Sequence, residues 1–105
     1  MTRDELLQRI KERLQEIYGA RFRGLVLYGS AARGEERPDS DIDLICLLQG
    51  AVDNEFFRIN EATYPLQLES LDSGCRMFNI IPVNEDDYQR RIPLYMEARK
   101  EGIAV

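Results

Sequence analysis

GSAARGEERPDSDIDL, residues 29–44, decides how this chain is read. The run before it, Phe22 to Tyr28, is apolar and β-prone, so the chain enters Gly29 from a buried strand. Gly29 allows a sharp turn without a Cβ clash. Ser30-Ala31-Ala32-Arg33 then suits the first turn of a short helix, whose open N–H groups and positive dipole end favour a phosphate. The Ser30 hydroxyl can cap that helix or bond a phosphate oxygen. The planar fork of Arg33 matches the geometry of the same anion.

Ten residues beyond Ser30 a second strand begins, Ser40-Asp41-Ile42-Asp43-Leu44-Ile45-Cys46-Leu47-Leu48, polar at its start and apolar thereafter. Side chains alternate across a strand, so Asp41 and Asp43 share one face, about 6–7 Å apart along the backbone. Two carboxylates so placed repel unless a cation lies between them. Magnesium takes oxygen ligands, often one or two carboxylates completed by waters and substrate phosphates, and a strand-end Asp-x-Asp beside a phosphate turn offers that set. Taken singly, the Gly-Ser turn, the Asp-x-Asp and the arginine have ordinary structural readings; their conjunction carries the inference.

The stretch resembles the signature of the minimal nucleotidyltransferases of the DNA polymerase beta superfamily, G-S-x-A-x-G followed by S-D-[IV]-D-[LVF]. Gly29, Ser30, Ala32, Gly34, Ser40, Asp41, Ile42, Asp43 and Leu44 fit it. The resemblance implies an α/β fold, a small mixed sheet with helices packed on it. It also implies transfer of a nucleoside monophosphate, AMP from ATP by first expectation, to a hydroxyl. Asp41 and Asp43 would be the catalytic, Mg2+-holding residues, and Gly29, Ser30 and Arg33 would hold ATP or another NTP. Small members of that family are often antitoxins that adenylylate a HEPN-type toxin, so a protein partner is expected.

The chain departs from the family at one point. Active members carry a third carboxylate on a neighbouring strand, whereas Cys75 to Val83, the third strand expected here, contains no acid. Asn79 aligns with the missing group. An asparagine can offer a neutral oxygen to a metal but cannot accept a proton as a base. Glu69 and Asp72, just upstream, are the candidates to replace it. The alternatives are therefore a binding module that has lost the chemistry and acts by contact, or a subunit whose site another chain completes.

At 105 residues the chain is expected to form one domain, residues 1–105. No apolar run approaches the roughly 18–20 residues of a membrane span and no signal peptide is recognised, so a cytoplasmic protein is expected. Histidine is absent, which removes it as a general base and disfavours zinc. Cys46 and Cys75 read as small buried residues. A net charge of −5 argues against duplex DNA as a ligand and for a small nucleotide or a protein partner, and leaves a homo-oligomer open. Arg21, Arg23 and Arg33 would offset this locally if they converged.

The remaining elements follow from periodicity. Thr2-Arg3-Asp4-Glu5 is a capping box for a helix carrying Leu6, Leu7, Ile10, Leu14 and Ile17 to a stop at Gly19. Asp53-Asn54-Glu55 is expected to cap a second helix, kinked or divided at Pro65. Asn84 opens a further helix through Arg91, which Pro93 kinks or restarts, with Gly102 as its stop. The polar loop 34–39 is expected to be open to solvent.

Overall fold

The computed structural model describes every residue except Glu36, Pro38 and Asp39, which belong to the expected polar loop. The first helix, α1 (Arg3–Tyr18), starts where the capping box places it, with Thr2 Oγ1 accepting a hydrogen bond from the Glu5 N–H at 3.2 Å. It ends at Gly19, whose left-handed φ of 54° terminates the ladder. Leu6, Ile10 and Leu14, spaced for one helical face, are fully buried.

Strands β1 (Phe22–Tyr28) and β2 (Ile42–Leu48) follow and pair antiparallel. Helix α2 (Glu55–Asp72) then crosses over to β3 (Phe78–Asn84), which lies parallel to β2. Helix α3 (Pro93–Glu101) leads into a two-residue strand, β4 (Ile103–Ala104), which pairs antiparallel with the outer edge of β1. The sheet order is β3-β2-β1-β4, a mixed four-stranded sheet as expected from the α/β alternation.

Alternation along the strands divides the core in two. Leu25, Leu27, Ile42, Leu44, Cys46, Leu48, Phe78 and Ile80 face α1 and α2. Ile45 and Val83 face the other way and meet Tyr88 and Ala98, with Val26, Tyr28, Ile81 and Tyr95 packed at the margin. Each leucine or isoleucine so buried contributes about 1.5–3 kcal/mol of transfer free energy, so the first cluster dominates stability. The second covers the face on which Asp43 lies. Among the described residues, no helix is long and apolar enough to cross a membrane.

Several local expectations are corrected. The short helix after Gly29 is a single irregular turn: its bonds run Arg33 N–H to Gly29 O, Gly34 N–H to Ala31 O and Glu35 N–H to Ser30 O, three different spacings that propagate no helix. Pro65 neither divides nor ends α2, which runs through it for 18 residues. The proline lies on the exposed side, where a missing N–H costs least. Asn54 does not cap α2 with its side chain; it adopts φ 64°, and the Tyr18 hydroxyl instead ties Glu55 to α1 at 2.7 Å. Asn84 does accept from the Asp86 and Asp87 N–H groups, but the segment it opens is one 3-10 turn, Asp87–Gln89, and Pro93 restarts the chain as the first residue of α3. Cys46 is fully buried as expected, while Cys75 is only half-buried.

Candidate active site

Strand register assembles the site. Asp43 is the Cα partner of Tyr28 on β1 and of Asn79 on β3, so these three side chains stand abreast on the α3 side of the sheet. Asp41, one alternation earlier and exposed, receives a hydrogen bond from Asn79 Nδ2 at 3.2 Å. The asparagine on β3 therefore occupies the position expected of a third acid and bridges toward the first.

Gly29 closes the other side. Its φ is +74°, and a Cβ built on it would lie 3.1 Å from Asp43 Oδ2. Two independent demands thus select glycine: a backbone conformation that L side chains avoid, and room for the carboxylate. The turn 29–34 is anchored beneath by Ala31, which is buried in the α1–α2 core cluster. Its internal bonds employ the N–H groups of residues 33, 34 and 35, so the donors that a helical start leaves open are those nearest Gly29.

Tyr28 is a neighbour that motif reading did not single out. Burial, followed by the negative charge of Asp43, raises its phenol above the ordinary range, so it remains a neutral hydroxyl beside the acid. The signal was present in sequence as the last residue of the first strand, but only the register shows which residue it faces.

Arg33 follows the turn, but its guanidinium is engaged elsewhere. Nε meets Glu35 at 3.1 Å, and one terminal nitrogen meets Glu97 at 2.7 Å and Glu101 at 3.8 Å. The turn is thereby tied to α3. Arg21 and Arg23 do not join it: Arg21 bonds the carbonyls of Gln49 and Ala51 and faces Glu55, and Arg23 pairs with Glu85. Each arginine meets its own acid, and no basic patch results from these three.

Neither upstream acid replaces the missing carboxylate in the way considered. Glu69 is held in a bidentate pair by Arg9 of α1, at 2.6 and 2.8 Å, on the opposite side of the sheet. Asp72 is the last residue of α2, and among the described residues no group of three metal-binding side chains comes together. The donors at the strand ends are nonetheless hard: two carboxylates and, from Asn79, an amide oxygen. That set fits one magnesium ion completed by waters and phosphates better than it fits a pair of ions.

A nucleotidyltransferase domain family model matches residues 7–93, most of the chain and all of the site. The chain belongs to the nucleotidyltransferase domain family. Two solved structures share the fold. One is a "putative nucleotidyltransferase from Sulfolobus solfataricus", 19% identical, with a TM-score of 0.53 over 95% of this chain and 78% of that one. The other is a toxin-antitoxin structure with AMP-PNP, 15% identical, with a TM-score of 0.56 over 98% of this chain and 72% of that one. No curated protein matches the chain significantly. The nucleotidyltransferase fold is thus the α/β core expected from the motif.

Proposed function

We propose that this domain, residues 1–105, binds a nucleoside triphosphate with magnesium and transfers the nucleoside monophosphate to a hydroxyl group of a protein partner. The observation that carries the reading is the packing of Asp43 against Gly29, which sets a carboxylate directly beside a turn whose own bonds employ only the N–H groups of residues 33, 34 and 35. Asp41 and Asp43 would hold the ion, and the ion would neutralise phosphate charge and align the triphosphate.

The chain's own groups do the rest. Turn N–H groups and the Ser30 hydroxyl orient the phosphates, and Tyr28 stands beside Asp43 as a neutral hydroxyl. Arg33 reaches a phosphate by giving up Glu97, an exchange that an exposed ion pair permits at small cost. In the transfer, an acceptor oxygen bonds to the α-phosphorus, the bond from that phosphorus to the bridging oxygen breaks, and pyrophosphate leaves. The acceptor proton passes to solvent or to Asp43, since Asn79 cannot take it. ATP as donor and a HEPN-type toxin as acceptor are the most specific form of the reading; the toxin-antitoxin neighbour with AMP-PNP supports an adenine nucleotide and a toxin-antitoxin setting. The cytoplasm is the expected setting.

Calorimetric titration with ATP, with and without magnesium, tests the site on the wild type and on Asp43→Asn. Binding that requires both magnesium and Asp43 is expected. No binding under any condition would overturn the reading.

Asn79 in register with Asp43 favours a second reading, a contact module without turnover. Transfer of label from α-labelled ATP to a co-purified partner separates the two. A double Asp41→Ala/Asp43→Ala variant that captures the partner undiminished while the wild type labels nothing would establish the contact module.

A further inference from the structure

Helix α2 buries one side and carries large apolar side chains on the other. Its inner side presents Ile59, Thr63 and Ser70, buried in or against the α1–α2 core. Its outer side presents Phe57, Tyr64, Leu68 and Leu71, at intervals of seven, four and three residues, which at 100° per residue fall on one stripe. All four are large and in water: Phe57 is 73% exposed, Tyr64 58%, and the leucines nearly half. Phe56 extends the stripe at its start and stacks edge-on against Phe57.

We infer that this stripe is the interface of an antiparallel homodimer, α2 against α2 of a second copy. Two observations select that occupant. The first is charge. Arg58 and Asp72 flank the stripe on the same side, one near each end of the helix, and both are exposed. In a two-fold antiparallel pair centred near Tyr64, Arg58 of one copy comes within about a turn of Asp72 of the other, twice by symmetry. Arg58 would turn to this role from the Tyr18 ring, over which its guanidinium lies at 5.3 Å, and from Glu55 at 3.8 Å, contacts that leave its side chain half exposed.

The second is area. A fully exposed aromatic side chain presents about 200 Å² and a leucine somewhat less, so the exposed fractions put on the order of 500 Å² of this stripe in water. Two copies together would bury about 1,000 Å², the lower bound for a specific contact. The dimer is therefore reversible. Because α2 covers the sheet face opposite Asp43 and Asn79, both sites stay open in the pair.

Sedimentation equilibrium of the full chain tests this. From about 1 µM to about 1 mM, the range of weak interfaces, the mass should rise toward that of two chains. Tyr64→Asp places two like charges at the two-fold axis and should remain monomeric throughout. Its circular dichroism should be unchanged, because Tyr64 touches solvent rather than core. Arg58→Asp should weaken association about three- to tenfold, as two exposed symmetric pairs allow, and Arg58→Asp/Asp72→Arg should restore it. A wild type that is monomeric at every concentration would overturn the proposal, including the case in which the stripe serves a different protein. So would a folded Tyr64→Asp that dimerises undiminished, or a double variant that fails to recover.

Discussion

Replacing Gly29 by alanine separates what the turn requires of its backbone from what the site requires of its space, provided Gly34→Ala is measured beside it. The two glycines share nearly the same left-handed φ, +74° and +73°. Alanine in that region costs about 1–2 kcal/mol, so both variants should lose that much stability to urea. They differ in what the new methyl meets. At residue 34 nothing lies within 4 Å, whereas at residue 29 the methyl would stand 3.1 Å from Asp43 Oδ2. The carboxylate must move by a few tenths of an ångström. A binding constellation tolerates about 0.5 Å, and a misplacement near 1 Å can cost on the order of a hundredfold. A shift of a few tenths approaches that limit without passing it, so calorimetry with magnesium and ATP should show Gly29→Ala weakened by about three- to fivefold and Gly34→Ala within about twofold of wild type. Equal losses, or undiminished affinity in Gly29→Ala, would refute the placement of Asp43 in the nucleotide site.

Asn79→Asp should lower the melting temperature without divalent ions, because a third carboxylate then crowds Asp41 and Asp43, and should enlarge the rise produced by magnesium. A magnesium response equal to that of wild type would show that residue 79 does not face the ion. Burial pushes the Cys46 thiol up to about 12 from 9.0, so Cys75 should react first with a thiol reagent. The same shift makes the unfolded chain lose its proton first, so the contribution of this thiol to stability should be level below about pH 8 and fall between pH 9 and 12, by at most about 1.4 kcal/mol per pH unit. Tyr18 and Tyr28, also raised, add to the fall above pH 10; urea midpoints at pH 8 and 10.5 measure it. Gly102→Ala should cost about 1–3 kcal/mol in the same assay, since its methyl would sit 2.3 Å from the Ala98 carbonyl oxygen and 2.7 Å from Val26 Cγ1.

The parts of this fold that were legible are those specified by short periodic patterns. Alternation in β2 put Asp41 and Asp43 on one face, and the helical spacing in α1 identified its buried side before any contact was known. The parts that were not legible depend on partners distant in sequence. Strand β4 is two residues long and has no pattern of its own; it exists because Gly102 lets the chain pass within contact of Ala98 and Val26, delivering Ile103 to the edge of β1. Arg33 was expected at the phosphates from its position after the turn, but two of its three acids come from α3, more than sixty residues away. The exposed stripe on α2 was not legible either, because periodicity reports that a face is apolar but not what covers it.

The asparagine on β3 changes the charge of the site more than its shape. With Asp41 and Asp43 alone the strand ends carry two negative charges, which one divalent ion neutralises; a third acid would leave one charge over and call for a second ion. Asn79 supplies the bridging hydrogen bond to Asp41 that holds the first carboxylate in place, a task that a like-charged acid would oppose in the absence of metal. The geometry of the pair therefore persists without an ion, and its proton-accepting capacity is confined to Asp41 and Asp43. If transfer occurs, Asp43, packed on Gly29 and partly buried, is the better placed of the two to accept the acceptor's proton, because Asp41 is exposed and already engaged by Asn79. Asp43→Asn should then abolish label transfer altogether, whereas Asp41→Asn should leave a measurable residue. The opposite order would assign the base to Asp41 and make Asn79 the residue that positions it.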